Sequence, residues 1–401
     1  MKKIITLALC MASVGAISAQ KSVVDQAAKL SGKNAQIEEA RKLIQEAAAN
    51  PETQNDARTY YVAGKIEFDA FDNSFKKQMI DPNSVNLVEM GGQLINGYNQ
   101  FIKAMSLDSV PNAKGEIKPK YSKEIASKIS GHFNDYFNAG GTFYNEQKFY
   151  PEAYEAFMIY GAMPKQPFAS KEVKATPDSV ANTAYFNAGI SAWQGQQLEA
   201  GANAFKQARL NNSDNFQNFI YELACWQNLA QQDSTKVDEA KAAIFEIATA
   251  GHDKFGISQP IFISNLVNSL VLDGQLDAAL AKVNEVIEQN PDNAALYGLR
   301  GFVNDRKEDD AASVNDYRKA VSFSNTDFET LKNAAKKIFK VGTQKWNNIE
   351  GATPEQRNEI KTDYFQYAKE IANRAKAMNA ADSDLNYVIE NIDYALETFF
   401  N

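Results

Sequence analysis

Histidine and cysteine are nearly missing from this chain, two of each in 401 residues. A structural metal site needs several such ligands at close spacing, and His132, His252, Cys10 and Cys225 are scattered, so no metal and no cofactor is expected. Nor does either cysteine lie near a histidine, which removes the usual activated thiol. Acids are plentiful, but adjacent carboxylates such as Asp309 and Asp310 are ordinarily solvated, so they do not point to catalysis. The expectation is a protein that is not an enzyme. Blocks of like charge are also lacking: 42 basic residues face 50 acidic ones, for a net charge of −8. Without clustered Lys and Arg there is nothing to neutralise a phosphate backbone, and nucleic acid is excluded as a partner. No long apolar run occurs past the start of the chain, so no transmembrane segment is expected. Glycine and proline are sparse, 21 and 11 residues, and two-residue alternation is nowhere sustained. Strands are not required, and the chain reads as all-α.

The first 19 residues have the layout of a secretory signal peptide. Lys2 and Lys3 are followed by an apolar stretch from Ile4 to Ile17 and by a small residue, Ala19. Cys10 does not suit lipid attachment, because Leu9 precedes it where a small residue is needed. Removal of the leader takes the net charge from −8 to −10 and leaves Cys225 as a lone cysteine, unable to form an internal disulfide. The expected location is the periplasm or cell surface of a Gram-negative bacterium.

What is present is helical periodicity. Residues 20–164 read as a first helical lobe, with small Ala63 and Gly64 where two helices could approach closely. The stretch from Ser109 to Tyr121 carries two prolines and a glycine and reads as a loop. Residues 165–179 read as a linker between lobes, and residues 180–401 as a second array ending in a helical cap. Thr353-Pro354-Glu355-Gln356 is a capping box with proline at the first helical position. From Ile261 to Asn325 the sequence nearly repeats after 34 residues: Ile263 returns as Tyr297, Ala279 as Ser313, Val283 as Tyr317 and Val286 as Ala320. A unit of that length holds two short helices, which predicts an α-solenoid of antiparallel helix pairs.

The residues that recur are Tyr185, Ala188 and Gly189 with Gly201, Phe205 and Ala208, and Tyr297 and Gly301 with Ser313, Tyr317 and Ala320. In this pattern the chain resembles the tetratricopeptide-repeat (TPR) family. The match is specific in the central repeats and degenerate before Pro164 and after Asp327. The resemblance implies a superhelix whose concave groove is lined by first helices, and a binding scaffold for another protein or peptide segment.

A second face of the first helices carries Tyr61, Lys65 and Phe68, then Phe137, Gly141 and Tyr144, then Phe186, Ile190 and Trp193, each at an i, i+4, i+7 rhythm. Together with Tyr221 the apolar members are the candidate partner-binding residues. Two readings stay open, anchors for a bound segment or filling for a tight superhelix. A different class, a glycan- or nutrient-binding protein of the outer membrane, is the alternative, since exposed Trp and Tyr stack on sugar rings. Cys225 reads as packing, His132 and His252 as solvated, and Lys332, Lys336 and Lys340 as a solvated stripe. Asp382, Asp384 and Asn386 imitate a calcium loop but suit a helix cap better.

Overall fold

The computed structural model describes residues 21–31, 36–111 and 114–400, so the expected leader, residues 1–19, lies outside the described residues. Among the described residues there are helices and turns and no strand, as the periodicity requires. The chain divides into two compact units, Met1–Ala243 and Ile244–Asn401. The first holds α1 (21–31), α2 (Ile37–Ala49), α3 (Ala57–Ile80), α4 (Leu87–Asp108), α5 (Ser122–Gly131), α6 (Phe133–Asn145), α7 (Tyr150–Ala162), α8 (Lys171–Lys174), α9 (Asp178–Gln194), α10 (Leu198–Leu210) and α11 (Phe216–Gln232). The boundary falls inside α12 (Val237–Phe255). Beyond it come α13 (Pro260–Leu272), α14 (Leu276–Gln289), α15 (Ala294–Arg306), α16 (Asp310–Val321), α17 (Phe328–Asn347), α18 (Pro354–Ile360), α19 (Tyr367–Met378) and α20 (Ser383–Phe400).

Consecutive helices pack on one another in both units, α3 on α4, α6 on α7, α9 on α10 and α10 on α11 in the first, α13 on α14, α15 on α16 and α19 on α20 in the second. One device recurs in these pairs. A glycine on the first helix lies under an aromatic ring of the second, and a β-carbon there would come within van der Waals overlap of the ring. It would stand 2.5 Å from Phe205 at Gly189, 2.8 Å from Phe157 at Gly140 and 3.2 Å from Tyr317 at Gly301. The small residue at the start of the second helix completes the crossing. Ser313 Oγ donates to the Gly301 carbonyl at 2.8 Å, and Gly201 sits against the Gly189 carbonyl. In α3 and α4 the device is reciprocal, Gly64 under Phe101 and Gly97 beside Phe68, with the two rings stacked at 5.0 Å. These contacts make the chain an α-solenoid of helix pairs.

The turns inside the pairs are equally regular. Gln147, Gln196 and Glu308 adopt left-handed φ near +54° to +61°, and Gly274 takes the corresponding place at +73°. In three of these turns the next residue's N–H closes back on the preceding helix, Gln197 to Ala192 O, Gln275 to Leu270 O and Asp309 to Asn304 O, at 2.8, 2.8 and 3.0 Å, the Schellman geometry of a helix end. Only one of the four positions holds the glycine that suits it.

The stretch expected as a linker, residues 165–179, lies within the first unit and carries α8, whose Val173 is buried with Met163 and Ala169 in that unit's core. The Ser109–Tyr121 loop is tied down by Asp108, whose carboxylate accepts from the N–H groups of Lys120, Tyr121 and Ser122 at 2.7–3.2 Å. Burial works against ionisation there, but these donors outweigh it and hold the carboxyl below its ordinary range. The Thr353–Gln356 capping box forms as expected. The helix it starts passes through a π-helical segment, Lys361–Gln366, which turns Phe365 fully into the core. Asp382 caps α20 through the Leu385 N–H at 2.7 Å.

Candidate functional site

The helix pair α9 and α10, with α11 following, builds one cluster of candidate residues. Ala202, Phe205 and Cys225 form a fully buried floor. On it rest Phe186, Ile190, Trp193, Tyr221 and Trp226, each only partly covered. Phe205 and Tyr221 stack at 5.4 Å, and Phe186 and Trp193 each meet Tyr221 edge-on at 6.0 Å. Four of the expected residues, Phe186, Ile190, Trp193 and Tyr221, are thus brought together on one surface. Trp226 joins them from outside the i, i+4, i+7 rhythm, five residues past Tyr221 on α11. Glu222, next to Tyr221 on α11, and Arg209 of α10 form a two-pronged ion pair, Nε to Oε2 at 2.8 Å and the terminal guanidinium nitrogen to Oε1 at 3.0 Å.

The upstream candidates are distributed differently. Phe137 is half-buried between Phe157 and Tyr160, at 5.2 and 5.1 Å. Tyr144 meets Tyr150 edge-on at 5.8 Å. Tyr154, on the second helix of that pair and so outside the first-helix rhythm, accepts from Asn203 Nδ2 at 3.2 Å. Tyr61 stacks on Tyr121 at 4.4 Å and donates to Glu124 at 2.7 Å, and burial together with that carboxylate raises its pKa. Phe68 is a correction. It is fully buried, stacked on Phe101 and against His132, and belongs to the core instead of the surface. The i, i+7 rhythm could not reveal this, because the ring's neighbours, Phe101 and Gly97 of α4 and His132, come from later segments.

The histidines and lysines also differ from expectation. His132 is not solvated: its ring lies between Asp135 at 2.9 Å and Asp72 at 3.3 Å, against Phe68 and Phe71. His252 lies in the last turn of α12 with Nδ1 buried, and desolvation followed by the charge of Lys282 lowers its pKa. Lys332 pairs with Glu329 and Asp382, and Lys336 with Asp384, so this part of the stripe fastens α17 to the start of α20. The next residue, Lys337, 4% exposed, holds Asp305 and Asp310. Among the described residues no three His, Cys, Asp or Glu side chains gather as a metal site, and no helix is long and apolar enough to cross a membrane.

Cys225 is fully buried, and desolvation, aided by the nearby Glu222, pushes its thiol up to about 12. A thiol of that kind carries no thiolate at neutral pH. In protein lacking residues 1–19, a thiol-specific dye such as dithionitrobenzoate is therefore expected to leave Cys225 unmodified under native conditions and to react fully in denaturant. Rapid labelling of the native chain would contradict the packing described here.

No family model matches the sequence, and no curated protein is similar to it. Solved structures do align over nearly the whole chain. The P58(IPK) TPR domain shares 11% identity over 94% of this chain and 99% of its own, with a TM-score of 0.29. Yeast Tom70 shares 10% over 95% of this chain and 89% of its own, with a TM-score of 0.37. The Cut9–Hcn1 hetero-tetramer of the APC/C shares 9% over 89% of this chain and 73% of the matched one, with a TM-score of 0.29. It is the glycine–ring packing within the chain itself that establishes the repeated helix pair.

Proposed function

We propose that this chain is a non-enzymatic interaction scaffold that holds an extended or helical segment of another protein on the aromatic surface of α9 and α11. The observation that carries the reading is the contact cluster of Phe186, Ile190, Trp193, Tyr221 and Trp226 over a buried floor. Large apolar side chains held rigidly and left partly uncovered are the anchors on which binding energy concentrates. The cluster is built of aromatic and aliphatic side chains, so the segment it takes carries its own apolar or aromatic residues. Export through the N-terminal leader is part of the proposal, and the partner is then an envelope or surface protein.

The test is capture from a cell-envelope extract with wild-type protein, Trp193→Ala and a control. Trp193→Ala should weaken retention of the partner by about tenfold or more, as loss of a central anchor does. The control is Tyr387→Ala with Tyr394→Ala, which removes two side chains that are each 66% exposed on α20, in the second unit. Partners retained equally by all three proteins would sink the proposal.

A further inference from the structure

A second recess in the first unit lies beside the aromatic cluster and has different chemistry. It is a cavity of about 400 Å³ between the first turns of α9 and the turn joining α10 to α11. Phe186 closes one side, and Ser179, Asn182, Thr183, Asn211 and Asn218 contribute amides and hydroxyls. No lysine or arginine lines it, and its two carboxylates, Asp178 and Asp214, are exposed.

The amides are locked in place. Asn211 Nδ2 donates to Asn182 Oδ1 at 2.8 Å, and Asn182 Nδ2 returns a bond to the Asn211 carbonyl at 3.4 Å. Lys165 is hydrogen-bonded to Asn211 Oδ1. Asn218 Nδ2 donates to Ser213 Oγ at 2.9 Å and to the Asn215 carbonyl at 3.3 Å. Its other end is unmatched. Asn218 is 1% exposed, and its Oδ1 accepts no hydrogen bond. A buried acceptor without a donor is costly, and a ligand that supplies one recovers that cost.

We infer that this cavity is a binding subsite for a neutral sugar, with a ring hydroxyl donating to Asn218 Oδ1 and the C–H face of the ring against Phe186. Each part of the lining selects for that chemistry. The absence of Lys and Arg disfavours phosphates and carboxylates. The abundance of amides and hydroxyls, which both donate and accept, matches a ligand whose every substituent is a hydroxyl. An aromatic wall with a few fixed polar groups is the usual composition of a small-molecule site, and the volume suits one or two sugar rings. A cationic amine is the competing ligand, since Asp178 and Asp214 are near; their exposure to solvent weakens any pull they exert.

Saturation-transfer NMR tests the assignment, with cellobiose, maltose and diacetylchitobiose each at about 10 mM, a level that detects affinities near the millimolar range. At least one of the three should receive saturation, strongest at the ring C–H protons. Thr183→Arg and Ser179→Trp, both at exposed positions of α9, should fill the mouth and weaken that sugar at least about tenfold. Their melting temperatures should match the wild type. No saturation of any of the three sugars overturns the assignment, as does binding that survives both substitutions. Displacement of the sugar by lysine amide at equal concentration overturns it too, in favour of an amine site. Should either variant fail to fold, the proton map on the wild-type protein decides alone: saturation spread evenly over the sugar counts against contact with Phe186. None of these readouts involves a protein partner, so they are independent of the scaffold reading.

Discussion

Glu222→Ala will destabilise the first unit by roughly 3–5 kcal/mol, because it removes one member of a buried, two-pronged ion pair. The side chains of Arg209 and Glu222 are 7% and 1% exposed, and both prongs of the pair are of good hydrogen-bond length. Their mutual attraction largely repays the desolvation of two charges, so the pair as a whole adds little. Half of it alone is expensive. The double substitution Arg209→Met with Glu222→Leu removes both charges and keeps apolar volume, and it should recover most of the loss. Urea unfolding followed by tryptophan fluorescence measures this cleanly. Trp193 and Trp226 lie in the first unit and Trp346 in the second, so a Trp346→Phe background confines the signal to the first. A loss below about 1 kcal/mol for Glu222→Ala would place the pair among ordinary surface bridges and contradict its burial. The pair sits at the last turn of α10 and next to Tyr221 on α11, so the same substitution should loosen the aromatic cluster.

How far the sequence disclosed this arrangement varies by kind of contact. The pairing of Gly189 with Phe205 and of Gly301 with Tyr317 was legible, because both members fall within one repeat and the spacing recurs. The gathering of Phe186, Ile190 and Trp193 followed from helical rhythm alone. Phe68 obeyed the same rhythm and is buried, because Phe101 and Gly97 of α4 and His132 just past α5 pack against its ring. Periodicity within one helix carries no information about which later segment lies over it. Lys337 shows the same limit for charge. On sequence it is one lysine among several, and its partners Asp305 and Asp310 come from the preceding pair of helices. The sugar cavity was hidden for another reason. Asn211 ends α10 and Asn215 caps α11, places where asparagine is common with no ligand involved. Only the folded turn shows that Asn218 keeps an acceptor to spare.

Adjacent glycines in α6 offer the sharpest test of the packing device. Gly140→Ala should cost about 1–3 kcal/mol, whereas Gly141→Ala should add about 0.5–1 kcal/mol to stability. In an isolated helix both changes would help, since glycine surrenders the most backbone freedom on folding. The difference lies in what each new β-carbon meets. At Gly140 it would come 2.8 Å from Phe157 Cδ1 and Cε1, and at Gly141 nothing lies within 4 Å. Phe157 cannot simply swing aside, because it is buried and packed edge-on against Phe137 at 5.2 Å. Relief must therefore come from pushing α7 away from α6, which opens the interface along its length. Urea midpoints of the two single variants, again with Trp346→Phe as background, should move in opposite directions. If both variants prove more stable than the parent, the ring yields cheaply, and glycine is not what sets the helix spacing. If Gly140→Ala alone is destabilised, the same argument extends to Gly189, where the floor of the aromatic cluster, Phe205, stands in the place of Phe157.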